Sequence, residues 1–279
     1  MHLEQELQRA RQQGIFIASG GSGDHGHSVG ANGIFTHGLK SFFCVCEDGA
    51  GECVCAGAVT FDLEYARWMD EHQRHMNDLR VALSAQMSDG ELRVLVDGVM
   101  LHYDQVFRLK GFATKSDVFH VLSGMWMSPA ERFFMWLGGF RSSELLKVLV
   151  SHLAPLTDQQ LMGICNLQQS SQQAEDALSQ GMEALQQALA DTLASAATAV
   201  GAGAADNVTN YMGQMAIAMS KLTTLENFLR QADLLRQQTL QQMHRILTTR
   251  QAARALLVIS DYFSRLRALS SLWLARPRD

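Results

Sequence analysis

The chain has 279 residues, 47% hydrophobic and 18% charged, with a formal net charge of −5. That length suffices for one large or two ordinary domains with a real core, and the mildly acidic balance excludes coating of nucleic acid by bulk positive charge. No apolar run reaches the ~18–20 residues that span a bilayer, and the start, MHLEQELQRAR, lacks a signal-peptide core. An intracellular chain with mostly reduced cysteines and no membrane partner is therefore expected. Pro129, Pro155 and Pro277, the only prolines, each fall at an apparent helix boundary, and alternating β-branched runs are few. The fold expected is all-α: a bundle of long antiparallel helices with a shorter helical N-terminal half and a flexible Gly/Cys-rich linker.

In chain order, Leu3, Leu7 and Ala10 form a short apolar seam over residues 1–13, fewer than two heptads long. Residues 14–57 hold half of the 22 glycines, together with His25, His27 and His37, and read as a flexible linker. Within it, Cys44, Cys46, Cys53 and Cys55 flank EDGAGE. A tetrahedral zinc site would use four such thiolates, but C-x-C is not the usual C-x2-C spacing. No metal or other cofactor is therefore expected; the four are either redox-sensitive thiols or an inert loop.

A helix is expected from near Thr60, where Phe61, Tyr65, Trp68, His72, Met76, Leu79 and Leu83 recur at three-four spacing. His72 and His75 flank that face as half-buried or solvated histidines. Ser88-Asp89 caps a second helix, expected to stop at Gly111, and a short one follows over residues 116–122. Ser128-Pro129-Ala130-Glu131 is a capping box with proline at the first helical position, and the spacing predicts a helix from there to Gly138-Gly139. Ser142 or Ser143 caps the next. Residues 126–140 hold two of four tryptophans and three of thirteen phenylalanines, which marks either core or an aromatic interface or ligand pocket.

Thr157 to Ala194 is the longest uninterrupted helical stretch, roughly 55 Å at ~1.5 Å per residue, opened by a Thr157-x-x-Gln160 capping box. Leu161, Ile164 and Cys165 form one apolar cluster; Leu178, Met182, Leu185 and Leu189 form another. Between them, in QQSSQQAED, the hydrophobic period lapses. That gap is either a solvated face or a polar surface that another helix or a partner reads by hydrogen bonds. An Ala/Gly hinge over residues 195–205 lets the next helix, 207–247, run back antiparallel. A last helix carries Leu256, Ile259, Phe263 and Leu266. Nine arginines, Arg236 among them, crowd this end, as a solvated face, a surface for an acidic partner or a calmodulin-type target.

The nucleotide-binding, nucleophile-elbow and metalloprotease motifs are absent, Glu175-Asp176 shows no evident partner, and Cys165 has no base within a helical turn. No enzyme is expected.

Three stretches resemble the C-terminal delay-of-germination domain of TGA-type plant bZIP transcription factors: SPAERFFMWLGGFRSSELLKVL from Ser128, PLTDQQLMGICNLQQSSQQAEDALSQGMEALQQ from Pro155, and the 63 residues from Tyr211 to Trp273. LEQELQRARQQG is similar to the end of that family's zipper. The resemblance implies a nuclear, dimeric regulator acting at TGACG-type promoter elements, paired with TGA-type subunits. It also implies NPR-type ankyrin-repeat coactivators and, for some members, plant glutaredoxins as partners. Residues 1–13 then correspond to the zipper end, 14–57 to a linker and 58–279 to the delay-of-germination domain. Two departures stand out. No basic helix with the family's Asn and Arg precedes leucine heptads, so these residues are not expected to read DNA bases. Where some relatives carry a second cysteine, six residues beyond the position of Cys165, this chain has Ser171. Trp126, Trp136, Phe140 and Arg141 are the expected partner-binding residues around the GGF turn. The alternative is a helical sensor for an apolar ligand, an acyl chain or a porphyrin, with His102, His120, His152 and His244 as candidate axial ligands.

Overall fold

The computed structural model describes residues 54–153, 155–198 and 204–277, with side chains excluded at 54–56, 196–198 and 204–210. The seam at 1–13, most of the expected linker, and Cys44, Cys46 and Cys53 lie outside the described residues. Cys55 is described in its backbone alone, in the first turn of a helix.

The described residues form an all-α bundle: α1 (Val54–Ser84), α2 (Asp89–Ser116), α3 (Val118–Ser123), α4 (Pro129–Phe133), α5 (Ser142–His152), α6 (Asp158–Thr198), α7 (Ala204–Ile246) and α8 (Thr249–Ala275). The starts follow from local chemistry. The Ser88 hydroxyl accepts the Glu91 amide while Glu91 accepts the Ser88 amide, so two free donors are satisfied reciprocally. The same box opens α4 at Ser128/Glu131, α6 at Thr157/Gln160 and α8 at Thr248/Gln251.

Three boundaries differ from expectation. α1 begins at Val54, six residues before Thr60. α2 runs through Gly111 to Ser116; a lone glycine costs a helix only about 1 kcal/mol, and the stop comes instead from Asp117, whose side chain caps α3. α4 ends at Phe133 rather than at Gly138. Leu137 (φ 41°) and Gly138 (φ 71°) both lie in the left-handed region, where Trp136 and Gly139 exchange backbone hydrogen bonds of 2.7 and 3.1 Å across a tight turn.

Pairings between α6 and α7 run in opposite order: Gln160 with Ile246, Ser171 with Thr239, Gly181 with Phe228, Thr192 with Lys221. The two helices are therefore antiparallel, as the hinge implied. The main core draws on α1, α2, α5, α8, the start of α6 and the end of α7, with Met76, Leu79, Leu92, Val96, Leu146, Leu149, Ile164, Met243, Leu256 and Ile259 buried. A smaller core gathers Phe61, Val121, Met182, Leu225 and Leu229, and Tyr65 packs on both.

The lapse in QQSSQQAED has a physical resolution. The buried register continues as Ile164, Ser171, Glu175, Met182, so the inward positions there are polar. Ser171 meets the Thr239 hydroxyl at 3.2 Å, and Ser179 accepts from the Trp136 indole at 2.9 Å. Another helix does read this face. The apolar cluster expected just before it holds only through Ile164, because Leu161 and Cys165 are exposed.

Candidate functional site: a braced aromatic turn and the cavity beneath it

The turn between α4 and α5 is held from inside by Arg236 of α7. Its spacing with Leu225, Leu229, Ala232, Leu240 and Met243 puts it on the buried stripe, and it is fully buried. The expectation of a solvated arginine face fails at this position. Its guanidinium donates to the Phe140 carbonyl at 2.7 Å, the Leu137 carbonyl at 3.1 Å and the Trp136 carbonyl. It pairs with Asp233 at 2.6 Å and lies 5.3 Å from the Trp136 ring centre. A planar fork with five donors suits such multiple capture; lysine, with one nitrogen, does not.

Lys110 of α2 occupies the apolar register Tyr103, Val106, Lys110, Ala113 and is also buried. It donates to the same Asp233 oxygen, Oδ1, at 2.5 Å. Burial pulls the Lys110 ammonium down to about 8 against the opposing pull of Asp233. On the other flank Arg141 reaches Glu175 at 3.0 Å and Asp176 at 2.9 Å. Glu175, fully buried, also accepts the Ser143 amide and hydroxyl. Glu175 and Asp176 therefore have partners, contrary to the sequence reading. α5 is capped by this distant carboxylate and not by its own serines.

The four expected partner-binding residues gather around this network in unequal roles. Trp136 is half-buried, bonded to Ser179 and placed 5.9 Å from the Arg141 guanidinium. Phe140 packs at 6.0 Å on Phe263, and Trp126 turns inward onto Phe61 and Tyr65. The aromatic groups facing outward are others: Phe133 is 82% exposed and Phe134 53%, beside Met125 at 49%. Nothing in the sequence pattern separated these from the half-buried set, because the expected helix would have continued to Gly138.

Beneath the turn lies a cavity of about 80 Å³, with Tyr65, Trp68, His72, Tyr103, Lys110, Trp126, Phe140, Arg236, Phe263 and Arg267 on its wall. Arg267 is paired with Glu131 at 2.8 Å. A surface groove of about 360 Å³ shares Met127, Glu131, Gly139, Phe140 and Phe263 with it. His72 is buried, not half-solvated, and its Nδ1 has no hydrogen-bond partner in the protein. Burial, reinforced by His102 and Arg267, pulls its imidazole down to about 3, so the ring is neutral. Trp68 stacks on His72 (4.9 Å) and on His102 (4.7 Å), whose own rings lie 5.9 Å apart. The four histidines considered as axial ligands have protein partners: His102 with Trp68 and Gln105, His120 with Asp62, His152 with Val148, His244 with Asp97. Among the described residues no cluster of three or more metal-binding side chains occurs.

The family described as "DOG1: Seed dormancy control" matches residues 75–151. The chain is 82% identical over 281 residues to the transcription factor TGAL3 of Oryza sativa subsp. japonica, covering all of this chain and 67% of that protein. It is 66% identical to PERIANTHIA of Arabidopsis thaliana, covering 99% of this chain and 56% of that protein. It is 62% identical to TGA2 of the same plant, again over 99% of this chain and over 76% of the relative. The chain thus spans between about half and three quarters of the length of these curated relatives.

Proposed function

We infer the function from one premise: this chain belongs to the TGA-type family of plant transcription factors. It serves as the regulatory part of such a factor, pairing with TGA-type subunits at TGACG-type promoter elements in the nucleus and docking co-regulators. Base contacts in the major groove fall to a bZIP basic region, which these 279 residues do not carry. Residues 58–279 act as the delay-of-germination domain.

The observation that carries the docking role is the set of outward-facing Phe133, Phe134 and Met125 at the two ends of α4, next to a turn whose carbonyls the buried Arg236 holds. Exposed aromatics on a preorganised backbone lose little entropy on binding and supply hot-spot area. The occupants proposed are NPR-type ankyrin-repeat coactivators, with glutaredoxins second. Trp136, Phe140, Arg141 and Trp126 shape this surface from below. Co-purification of an ankyrin-repeat coactivator with this chain, and its loss in Phe133→Ala/Phe134→Ala, tests the reading; equal recovery contradicts it.

The apolar-ligand sensor has one observation in its favour, the aromatic cavity that shares its wall with a groove. At about 80 Å³ the cavity takes a slender group but not a porphyrin, since even benzene occupies engineered cavities of about 150 Å³. Native mass spectrometry of the purified chain separates the two readings: a retained apolar mass favours the sensor.

A further inference from the structure

We propose that the far half of the α6–α7 pair is a docking arm for a second copy of this chain, which lays the same methionine stripe against it about a two-fold axis. Resting on the pairing with TGA-type subunits inferred above, the arm gives that pairing a place. Nearer the core, one side of the α6–α7 pair is covered. Ser179 meets Trp136, Leu229 shares a core cluster with Val121, and Asp233 and Gln237 bond to Lys110 and Asp104 of α2. Both core clusters reach only as far as Leu185 on α6 and Leu222 on α7. Beyond those residues the two helices hold each other: Lys221 donates to the Ala188 carbonyl and the Thr192 hydroxyl, and Thr192 and Ala218 are buried.

The covered side continues along the arm with nothing over it. Met212 and Met219 stand three and two heptads before Asp233 on α7, and Leu193 stands two heptads after Ser179 on α6. A straight helix drifts only ~20° per heptad, so these three residues keep the side that α2 and the turn cover further along. Met215 falls between the two methionines at a spacing of three and four. Met212 and Met219 are 66% and 62% exposed, and Leu193 and Tyr211 are half-exposed. An apolar stripe of this kind on a two-helix arm calls for a further layer.

Charge and area select the occupant. From Thr192 to Ser220 the sequence carries a single charged residue, Asp206, in a chain that is 18% charged overall. Such a face offers no counter-charge to an acidic or basic partner and would strand any charge buried on it. A second copy brings an equally uncharged surface, and methionine side chains adapt to one another in packing. Leu193, Tyr211, Met212 and Met219 expose roughly 500 Å² between them, at ~200 Å² for a whole large side chain. That is most of the ~800 Å² each partner gives to a standard interface. An antiparallel pair meeting its own copy closes a four-helix bundle, in which each stripe lies on the other.

The test is sedimentation equilibrium of the full chain, comparing Met212→Glu/Met219→Glu with Ile217→Glu/Ser220→Glu, which adds the same charge on the opposite side of α7. Wild type and the second variant are expected to dimerise alike. The first should self-associate at least ten-fold more weakly, with its helicity by circular dichroism unchanged. In a mixture of methyl-13C-methionine chain with unlabelled chain, isotope-filtered nuclear Overhauser contacts should run from the Met212 and Met219 methyl groups to the other copy. Equal dimerisation of wild type and Met212→Glu/Met219→Glu overturns the arm but leaves the pairing reading standing, with its contacts elsewhere in the chain. A monomeric wild type also overturns the arm, and the pairing reading falls with it only if a different TGA-type subunit likewise fails to bind. Contacts to these methyl groups within a monomer show another segment of the same chain on the arm, and they overturn the proposal. Should the first variant fail to fold, the filtered contacts of wild type decide alone, and their absence overturns it.

Discussion

Glu175 of α6 accepts both the backbone amide (2.9 Å) and the hydroxyl (2.5 Å) of Ser143, at the start of α5. A carboxylate from a helix 32 positions further along the chain thus serves as the N-cap that α5 lacks in its own sequence. It lies where the helix dipole favours negative charge. Glu175→Ala leaves the Ser143 amide and the Arg141 guanidinium without their buried acceptor. Because Arg141 is 35% exposed and keeps Asp176, the expected loss is that of the unsatisfied Ser143 donors, about 1–3 kcal/mol. Glu175→Gln, which keeps one acceptor oxygen, should lose clearly less. The urea midpoint of each variant measures the difference.

Arg236→Lys preserves charge but not the fork. The carbonyls of Leu137 and Phe140 lose their Arg236 donor, at about 1–3 kcal/mol for each one left unsatisfied, while the Trp136 carbonyl keeps the Gly139 amide. Leu137, at φ 41°, is then held in the left-handed region by the Trp136–Gly139 backbone pair alone. The expected outcome is a lower melting temperature with loss of the near-UV circular dichroism contributed by Trp136.

Stability should fall with acidification through His72. Its folded value is about 3, against 6.5 for a free imidazole, so between pH 6.5 and 3 the unfolded chain takes up a proton that the folded chain refuses. The cost grows by up to about 1.4 kcal/mol per pH unit across that window. His72→Phe removes this component. His102, whose value is also lowered by burial, leaves a residual slope. Chemical denaturation of both proteins at pH 7, 5.5 and 4.5 measures the flattening.

Trp136 and Phe133 should separate structure from interface. Trp136→Ala removes a packed indole with its Ser179 bond and the face beside Arg236, for an expected loss of about 3 kcal/mol. Phe133→Ala, at an 82% exposed position, should shift stability by no more than about 0.5 kcal/mol. Parallel melts read both.

These variants also mark where sequence reasoning succeeds and stops. Capping boxes at Ser128 and Thr157 were legible because both halves of each lie within four residues; at Ser88 the cap is legible, and the structure adds Glu91 as the other half of its box. Tertiary caps such as Glu175 on Ser143 leave no local trace. Lys110, Arg236 and Glu175 each stand on a buried stripe, where a charge reads as a break in the period. Counting them as members of the register, at three and four from their apolar neighbours, is the signal that exposes them. The misplaced end of α4 had a different source. Gly138-Gly139 was read as a helix stop, whereas Leu137 and Gly138 form a turn whose carbonyls Arg236 secures from 99 residues away. With that turn misread, the sequence leaves residues 126–140 open between core and interface and does not single out Phe133 and Phe134 as the exposed pair.

The central claim is that the surface of Phe133, Phe134 and Met125 beside this braced turn is where a co-regulator docks. It is tested most directly by isothermal titration of an NPR-type ankyrin-repeat coactivator into this chain, wild type against Phe133→Ala/Phe134→Ala. The account predicts saturable binding to wild type and at least a ten-fold loss in the variant, with melting temperatures unchanged. Equal affinity for both proteins, or no binding to wild type, would contradict it.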